Sequence, residues 1–455
     1  MEKQLKGSLT EGVIWKQILK YFFPILLGTF FQQLYNTVDA YVVGNFEGTA
    51  ALAAVGGTTG VLISLLVNFF VGLSSGATVV LSQCYGRGDL EGAEKATHTA
   101  IMLSIVGGAV LMIPGIFLAR WALNAMGATE EVIGNAVSYI RIYFIGIIGN
   151  LLYNMGSGIL RAIGDSKRPM IFLIVCCLVN IVLDLLFVAV FRMGVTGAAI
   201  ATILSQAISA VLVLIALMRA KGECYRLQVN RLRMDRVLLP EILRIGLPIG
   251  LQSTMYNIAN IIIQSNINSF GTNAMAANTA YGRVDSIFWM IIGAYGVTLV
   301  TFVGQNYGAR KYARIRQGFK TCFLLSAAST LIIIGTMILL RRPLLGLFTD
   351  SEEVLKIGFT MMLWETPFYI CYVPIEMLSG TMRGMGNSLS PMLTICGGVC
   401  GFRLLWLFLV LPLHKTVPML MLSYGLSWTL TSLIMLIIFI GFAKKSFLYG
   451  ELKIN

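Results

Sequence analysis

Charge is what this sequence has least of. Only 12% of its 455 residues are charged, against about 25% in a typical soluble domain. Long apolar runs fill the gap, with 57% hydrophobic residues and a mean hydropathy of +0.80. That combination excludes an ordinary soluble globule and places the chain among polytopic membrane proteins. Histidine is scarce as well, with His98 and His414 the only two. No Gly-rich loop ending in Lys-Ser/Thr occurs, and no His-Glu-x-x-His helix, so ATP hydrolysis and metalloprotease chemistry lack their residues. None of the eight cysteines falls in a segment assigned to the outside, so no disulfide framework is expected. Cys396 and Cys400 are one turn apart but have no histidine within reach, and read as small packing residues.

The formal net charge of +13 would suggest nucleic acid in a soluble protein. Here the basic residues sit in short segments between apolar runs, so no nucleic-acid partner is expected. Alternate segments, those that include both termini, hold 25 Lys and Arg, and the opposite loops with their helix ends hold seven. This asymmetry predicts both termini in the cytoplasm and an even number of spans. The first apolar run reads as a span, too long for a cleavable signal and leading straight into others. Twelve helices are expected, near 15–43, 51–82, 93–119, 131–161, 168–192, 195–220, 239–269, 273–306, 316–341, 352–383, 388–411 and 416–443.

The halves repeat. Ile18-Leu-Lys-Tyr-Phe-Phe-Pro24 returns as Ile242-Leu-Arg-Ile-Gly-Leu-Pro248, and Gly48-Thr-Ala-Ala-Leu-Ala-Ala54 as Gly271-Thr-Asn-Ala-Met-Ala-Ala277. Gln83-Cys-Tyr-Gly86 matches Gln305-Asn-Tyr-Gly308, and Leu160-Arg-Ala-Ile-Gly-Asp165 matches Met382-Arg-Gly-Met-Gly-Asn387. The offset stays between 222 and 224 residues. The expectation is an all-α integral membrane fold: two six-helix bundles, residues 1–220 and 239–455, joined by a cytoplasmic linker at 221–238. Six helices followed by six of the same orientation require a pseudo-twofold axis along the membrane normal, a layout that supports alternating access.

Against this apolar background the polar residues stand out. An acid inside a span costs roughly 2.5 to 3.5 kcal/mol on insertion scales, so it marks function by default. Asp39 lies in the first span, and Gln32, Tyr35 and Asn36 share its face as a supporting polar stripe. The fifth span carries Asn180 and Asp184 one turn apart, and the sixth carries Thr202, Ser205 and Ser209. Asp39, Asn180, Asp184 and Thr202 offer oxygen ligands and two negative charges, a set that suits Na+ or a proton. The second half does not copy the cluster. It keeps Gln252, Tyr256, Asn260 and Gln264 in the seventh span, Arg283, Asp285 and Trp289 in the eighth, Glu365 and Glu376 in the tenth and Arg403 in the eleventh. Arg283 and Asp285 are expected to pair elsewhere, since residues two apart do not face each other. Glu376 with Arg403 is a candidate ion pair. Together with nearby methionines and aromatics, Gln252, Tyr256, Asn260, Asp285, Trp289, Glu376 and Arg403 are candidates for a cleft taking amphipathic organic cations.

The run from Pro24 through Gln32-Gln-Leu-Tyr-Asn-Thr-Val-Asp39, the Gly-Thr-Ala-Ala-Leu-Ala-Ala turn, the Leu160-Arg-Ala-Ile-Gly-Asp segment and the Asn180/Asp184 pair resemble bacterial multidrug and toxic compound extrusion (MATE) transporters, over essentially the whole chain. The resemblance implies an antiporter in the cell membrane that exports cationic, lipophilic compounds in exchange for Na+ or H+. It implies no further cofactor and a chain functional as a monomer. In such proteins the positions of Asp39, Asn180, Asp184 and Thr202 form the cation site, most like the branch that includes DinF-like proteins. Two other readings remain at this point. A flippase for a lipid-linked precursor would need several basic residues in its cleft, where only Arg283 and Arg403 are candidates. A membrane acyltransferase would need a base such as His98 with a partner that the sequence does not identify.

Overall fold

The computed structural model describes residues 9–126 and 130–452, all helix and connection with no strand among them. The extreme termini used in the charge count, Lys3, Lys6 and Lys453 included, lie outside the described residues. The residues pack as two units. The first unit runs from Phe23 to Gly250; the second takes Leu9–Phe22 and the chain from Leu251 onward. The first contains most of α1 (Ile14–Gly56), then α2 (Thr58–Arg87), α3 (Leu90–Phe117), the short α4 (Ala119–Ala125), α5 (Glu130–Ile145), α6 (Ile147–Ala162), α7 (Lys167–Asp184) and α8 (Gly194–Met218). The second contains most of α9 (Leu238–Asn268), then α10 (Thr272–Gly308), α11 (Tyr312–Leu339), the short α12 (Arg341–Gly346), α13 (Glu352–Glu365), α14 (Tyr369–Gly384), α15 (Leu389–Ile395), α16 (Phe402–Leu409) and α17 (Val417–Leu452).

Among the described residues eight helices are long and apolar enough to cross a bilayer alone, and the α5–α6 pair makes a ninth. α1 and α9 carry rows of Gln and Asn that lower their hydropathy, and α13 and α14, at 14 and 16 residues, are each too short to cross alone. With bent or broken helices taken as single passes, the described residues make six passes in each unit, twelve together.

Four of the passes expected as single helices are interrupted. The fourth bends by 50° between α5 and α6, and the tenth breaks at a 3-10 turn, Thr366–Phe368, where Pro367 removes a backbone donor. α7 continues through a π-helical segment, Leu185–Val190, and α15 reaches α16 through another, Cys396–Gly401. Such wide turns recur at functional sites. The duplication is written into the backbone too. Gly48 and Gly271 have φ of 86° and 95°, and Gly164 and Gly386 have 91° and 90°. The latter pair ends α6 and α14 in the same way, with Asp165 and Asn387 amides donating back to Leu160 and Met382 carbonyls at 3.0 and 2.9 Å. This explains why the Gly-Asp and Gly-Asn motifs recur: each stops one helix and caps the next.

Within the first unit, α2 crosses the opening turns of α9 on glycine. A Cβ on Gly72 would stand 2.5 Å from the Gly250 amide nitrogen, and one on Gly76 2.4 Å from the Ile242 carbonyl. From the other side, Gly246 and Gly250 face the Leu73 and Phe69 carbonyls, each 2.6 Å from such a Cβ. Two small-xxx-small pairs thus let two backbones touch, the means by which helices associate where lipid offers no hydrophobic contrast.

The linker is held on α3. His98 is buried, with Nδ1 2.7 Å from the Glu94 carbonyl, and its Nε2 accepts from the Gln228 amide at 3.0 Å. The Asp235 amide donates to Thr99 Oγ1 at 3.0 Å, while the Asp235 carboxylate accepts from Leu238 and Val237 amides and so caps α9. Those two amides hold the Asp235 carboxyl below the usual carboxylate range, Leu238 contributing most. The cap is therefore fully present above ordinary carboxylate values and lost as pH falls through that lowered value. His98→Phe removes the clip to Gln228. Losing one or two hydrogen bonds worth about 1 kcal/mol each should speed tryptic cleavage at Arg226 and Arg231 roughly tenfold. Unchanged cleavage would show that the linker is held by other contacts.

Candidate functional site

Asp39, Asn180, Asp184 and Thr202 all lie in the first unit, and all are buried, Asn180 and Asp184 completely. α1 supplies Asp39 at the edge of a core of Val42, Val43, Tyr139, Tyr143, Phe144 and Val188. α7 supplies Asn180 and Asp184, the latter as its last residue before the π-helical segment. Asp184 is near enough to Asp39 for the charge of Asp39 to act on it.

What distinguishes these side chains is what they do not touch. Asp39 Oδ1, both oxygens of Asp184, and both Oδ1 and Nδ2 of Asn180 are buried without a hydrogen-bond partner among the described residues. Each such group forfeits about 1 to 3 kcal/mol, and more when charged. Two carboxylates in this condition call for positive charge. Thr202 Oγ1 donates to the Ala198 carbonyl at 3.0 Å, which leaves its lone pairs free to accept. Ser205 and Ser209 spend their hydroxyls in the same way, on Thr202 and Ser205 carbonyls. The surplus is therefore of acceptor oxygens, which fits a hard monovalent cation or protons. Among the described residues no three His, Cys, Asp or Glu come together, as a transition metal would require.

Tyrosines wall the site. Tyr35 and Tyr139 lie near enough to Asp39 to feel its charge, Tyr143 packs beside Tyr139, and Gln206 leaves its Oε1 buried without a hydrogen-bond partner among the described residues. Sequence reading missed Tyr139, Tyr143 and Gln206. The signal was available as the i, i+4 spacing of Tyr139 with Tyr143 and of Thr202 with Gln206. The polar stripe on α1 is only partly brought in. Tyr35 is half-buried beside Asp39, whereas Gln32 and Asn36 are exposed, Asn36 reaching only Gln33 on its own helix. Tyr35 sits one turn from Asp39 on the buried face, while Asn36 falls toward the next face.

In the second unit the expected partners change. Arg403 does not pair with Glu376. It is buried, donates to Ser427 Oγ at 3.1 Å, and its guanidinium lies 4.0 Å from the Tyr424 ring centroid. The reason is position: Glu376 lies over Gly296, and the charge it faces is Arg383. Gln252 is also taken, accepting from Arg383 Nη2 at 3.0 Å. Asp285 accepts from Trp289 Nε1 at 2.8 Å and from the Tyr369 hydroxyl. Arg283, expected to find a partner, is exposed and makes no ion pair or side-chain hydrogen bond among the described residues. Tyr256 meets Tyr372 at 3.4 Å, and Asn260 is exposed. His98 is tied to backbone on both ring nitrogens, at the Glu94 carbonyl and the Gln228 amide.

Comparison with known proteins reaches the same kind of molecule. The MatE family model matches residues 24–186 and again 248–408, which is the repeat seen in the sequence. The probable multidrug resistance protein YpnP of Bacillus subtilis (strain 168) is 30% identical over 84% of this chain and 85% of its own. YoeA of the same organism, also described as a probable multidrug resistance protein, is 29% identical over 83% of each. A solved MOP superfamily transporter from Pyrococcus furiosus, 23% identical, covers 100% of this chain and 99% of its own with a TM-score of 0.88, and so shares the fold. The chain therefore belongs to the MatE (MATE) family of multi-pass membrane transporters, proteins that move compounds and catalyse no reaction on them.

Proposed function

We propose that this protein is a secondary antiporter that exports cationic, amphipathic organic compounds in exchange for Na+ or H+. The observation that carries the reading is the pair of buried carboxylates with Asn180: Asp39 Oδ1, both Asp184 oxygens and both Asn180 amide atoms have no hydrogen-bond partner among the described residues. Asp39, Asn180, Asp184 and Thr202 would hold the coupling ion. Its loading neutralises the buried charge and its release restores it, so each state favours a different conformation by its differential binding. The relatives' description as multidrug resistance proteins supports export of small molecules. The exposed and half-buried residues Tyr256, Asn260, Asp285, Trp289 and Glu376 remain the candidates for substrate contact. The Lys and Arg asymmetry supports both termini in the cytoplasm.

The test is uptake of a fluorescent organic cation into proteoliposomes under an imposed Na+ gradient or an imposed pH gradient. One gradient is expected to drive accumulation against concentration, and dissipating it should abolish accumulation. Accumulation that ignores both gradients would overturn antiport.

A further inference from the structure

Where the linker meets α3, the first unit has a cavity that the ion site does not use. It has a volume of about 490 Å³ and lies between the opening turns of α3 and residues 230–235. Three acids and three bases line it, Glu91, Glu94 and Asp235 against Lys95, Arg231 and Arg233. Asp235 is spent on the amides that open α9, and Lys95 reaches Glu91 at 2.6 Å. Arg231 reaches Glu94 at 3.1 Å. Arg233 is exposed and makes no ion pair or side-chain hydrogen bond among the described residues.

The two signs come from different sides. Glu91 and Glu94 stand three apart on one face of α3, whereas Arg231 and Arg233 belong to the linker. Side chains in both ion pairs are open to solvent, Glu91 by 79% and Arg231 by 65%. Such pairs hold weakly and exchange partners at little cost. A ligand carrying one charge of each sign can therefore lie between them.

Depth says where that ligand comes from. α3 is long and apolar enough to cross a bilayer, and Glu91, Glu94 and Lys95 lie in its first two turns. The cavity thus sits at the level of the lipid headgroups. Flanking its lining residues in the chain, Leu90, Val229 and Val237 are exposed apolar side chains suited to acyl chains.

Chemistry narrows the headgroup. An anionic glycerol headgroup would bring only negative charge to the two glutamates. A choline calls for aromatic faces around its quaternary nitrogen, and among the described residues no Phe, Tyr or Trp lines the cavity. A primary ammonium offers three N–H donors to carboxylates, and a phosphate pairs with planar guanidinium groups.

We propose that this cavity binds the headgroup of a phosphatidylethanolamine lipid, its phosphate on Arg231 and Arg233 and its ammonium on Glu91 and Glu94. The lipid ties the linker to α3 beside the clip between His98 and Gln228. It is a resident of the bilayer and not the transported compound.

The test takes the full-length protein from bilayers of equal parts phosphatidylethanolamine, phosphatidylcholine and phosphatidylglycerol into mild detergent, and counts retained lipid by native mass spectrometry. Phosphatidylethanolamine should be retained roughly tenfold over either competitor, the worth of one hydrogen bond to a charged group. Arg233→Gln and Glu91→Gln, both at exposed side chains, should each remove that preference. Lys320→Gln should keep it, because Lys320 lies on α11 at the repeat position of His98 and outside the cavity. Equal retention of the three lipids overturns the proposal, as does undiminished preference in both cavity variants. Soluble glycerophosphoethanolamine, the headgroup without its chains, should displace the lipid only in large excess. Displacement at equal concentration would overturn the lipid assignment and give the cavity to a soluble zwitterion. Failure of antiport in the wild type would strike the proposed function and leave lipid retention standing.

Discussion

Replacing Asp184 with Asn is expected to abolish ion-driven export and to make the protein more stable. Both oxygens of Asp184 are buried without partners, and the residue is completely shielded from solvent. Asn keeps the volume and removes the charge that calls for a cation or proton. Stripping one charge from a buried ionic set costs about 3 to 5 kcal/mol of interaction with its counter-charge, so ion affinity should fall by at least about 100-fold. Without bound ion, the wild type must tolerate two uncompensated carboxylates; the variant tolerates one. Its melting temperature in ion-free buffer should therefore rise while transport falls, the signature of stability given up for function. Asp39→Asn should act in the same direction more weakly, since Asp39 has one partnerless oxygen and is 8% exposed. Proteoliposome uptake and a thermal-unfolding series with and without Na+ check both. Wild-type transport by Asp184→Asn would return this cluster to the status of helix packing.

The second large effect is structural. Gly76→Leu, and to a lesser degree Gly76→Ala, should prevent α2 from seating against the start of α9. The obstacle at 2.4 to 2.8 Å is backbone of Ile242 and Gly246, which cannot rotate away as a side chain would. Overpacking in a closed core costs about 1 to 3 kcal/mol when side chains can adjust, and a backbone clash should exceed that. Loss of a monodisperse, folded protein in detergent is the expected readout. Gly335→Ala is the control, because nothing lies within 4 Å of the added carbon. An equal yield of Gly76→Leu and control would show that the two helices do not need close approach. Gly72 and Gly246 should behave like Gly76, since each faces backbone closer than 3.0 Å.

Both effects have roots visible in the linear chain. Asp39, Asn180 and Asp184 are conspicuous because charge and amide groups are rare in apolar runs. The small-xxx-small pairs, Gly72 with Gly76 and Gly246 with Gly250, were equally legible and passed over among 47 glycines. What set these four apart was a close backbone neighbour, which spacing does not reveal.

By itself the sequence determined the class of molecule, the number of passes, the duplication and the identity of the buried acids. Each follows from a local property: hydropathy over about 20 residues, an offset of 222 to 224, or an acid where the bilayer penalises one. Only the tertiary structure decided which atoms are left without partners. Helical spacing tells which residues share a face but not what that face meets. Gln32 and Asn36 shared a stripe with Asp39 and turned out exposed, while Tyr139, Tyr143 and Gln206 came from other helices to close the site. Glu376 and Arg403 were a reasonable pair by charge, yet the packing placed Arg403 on Tyr424 and Ser427 and turned Glu376 toward Arg383. The bends between α5 and α6 and at Thr366–Phe368 were hidden because the apolar pattern continues across them. Pairing between residues more than a hundred positions apart is set by how helices pack, and a one-dimensional pattern carries no record of that.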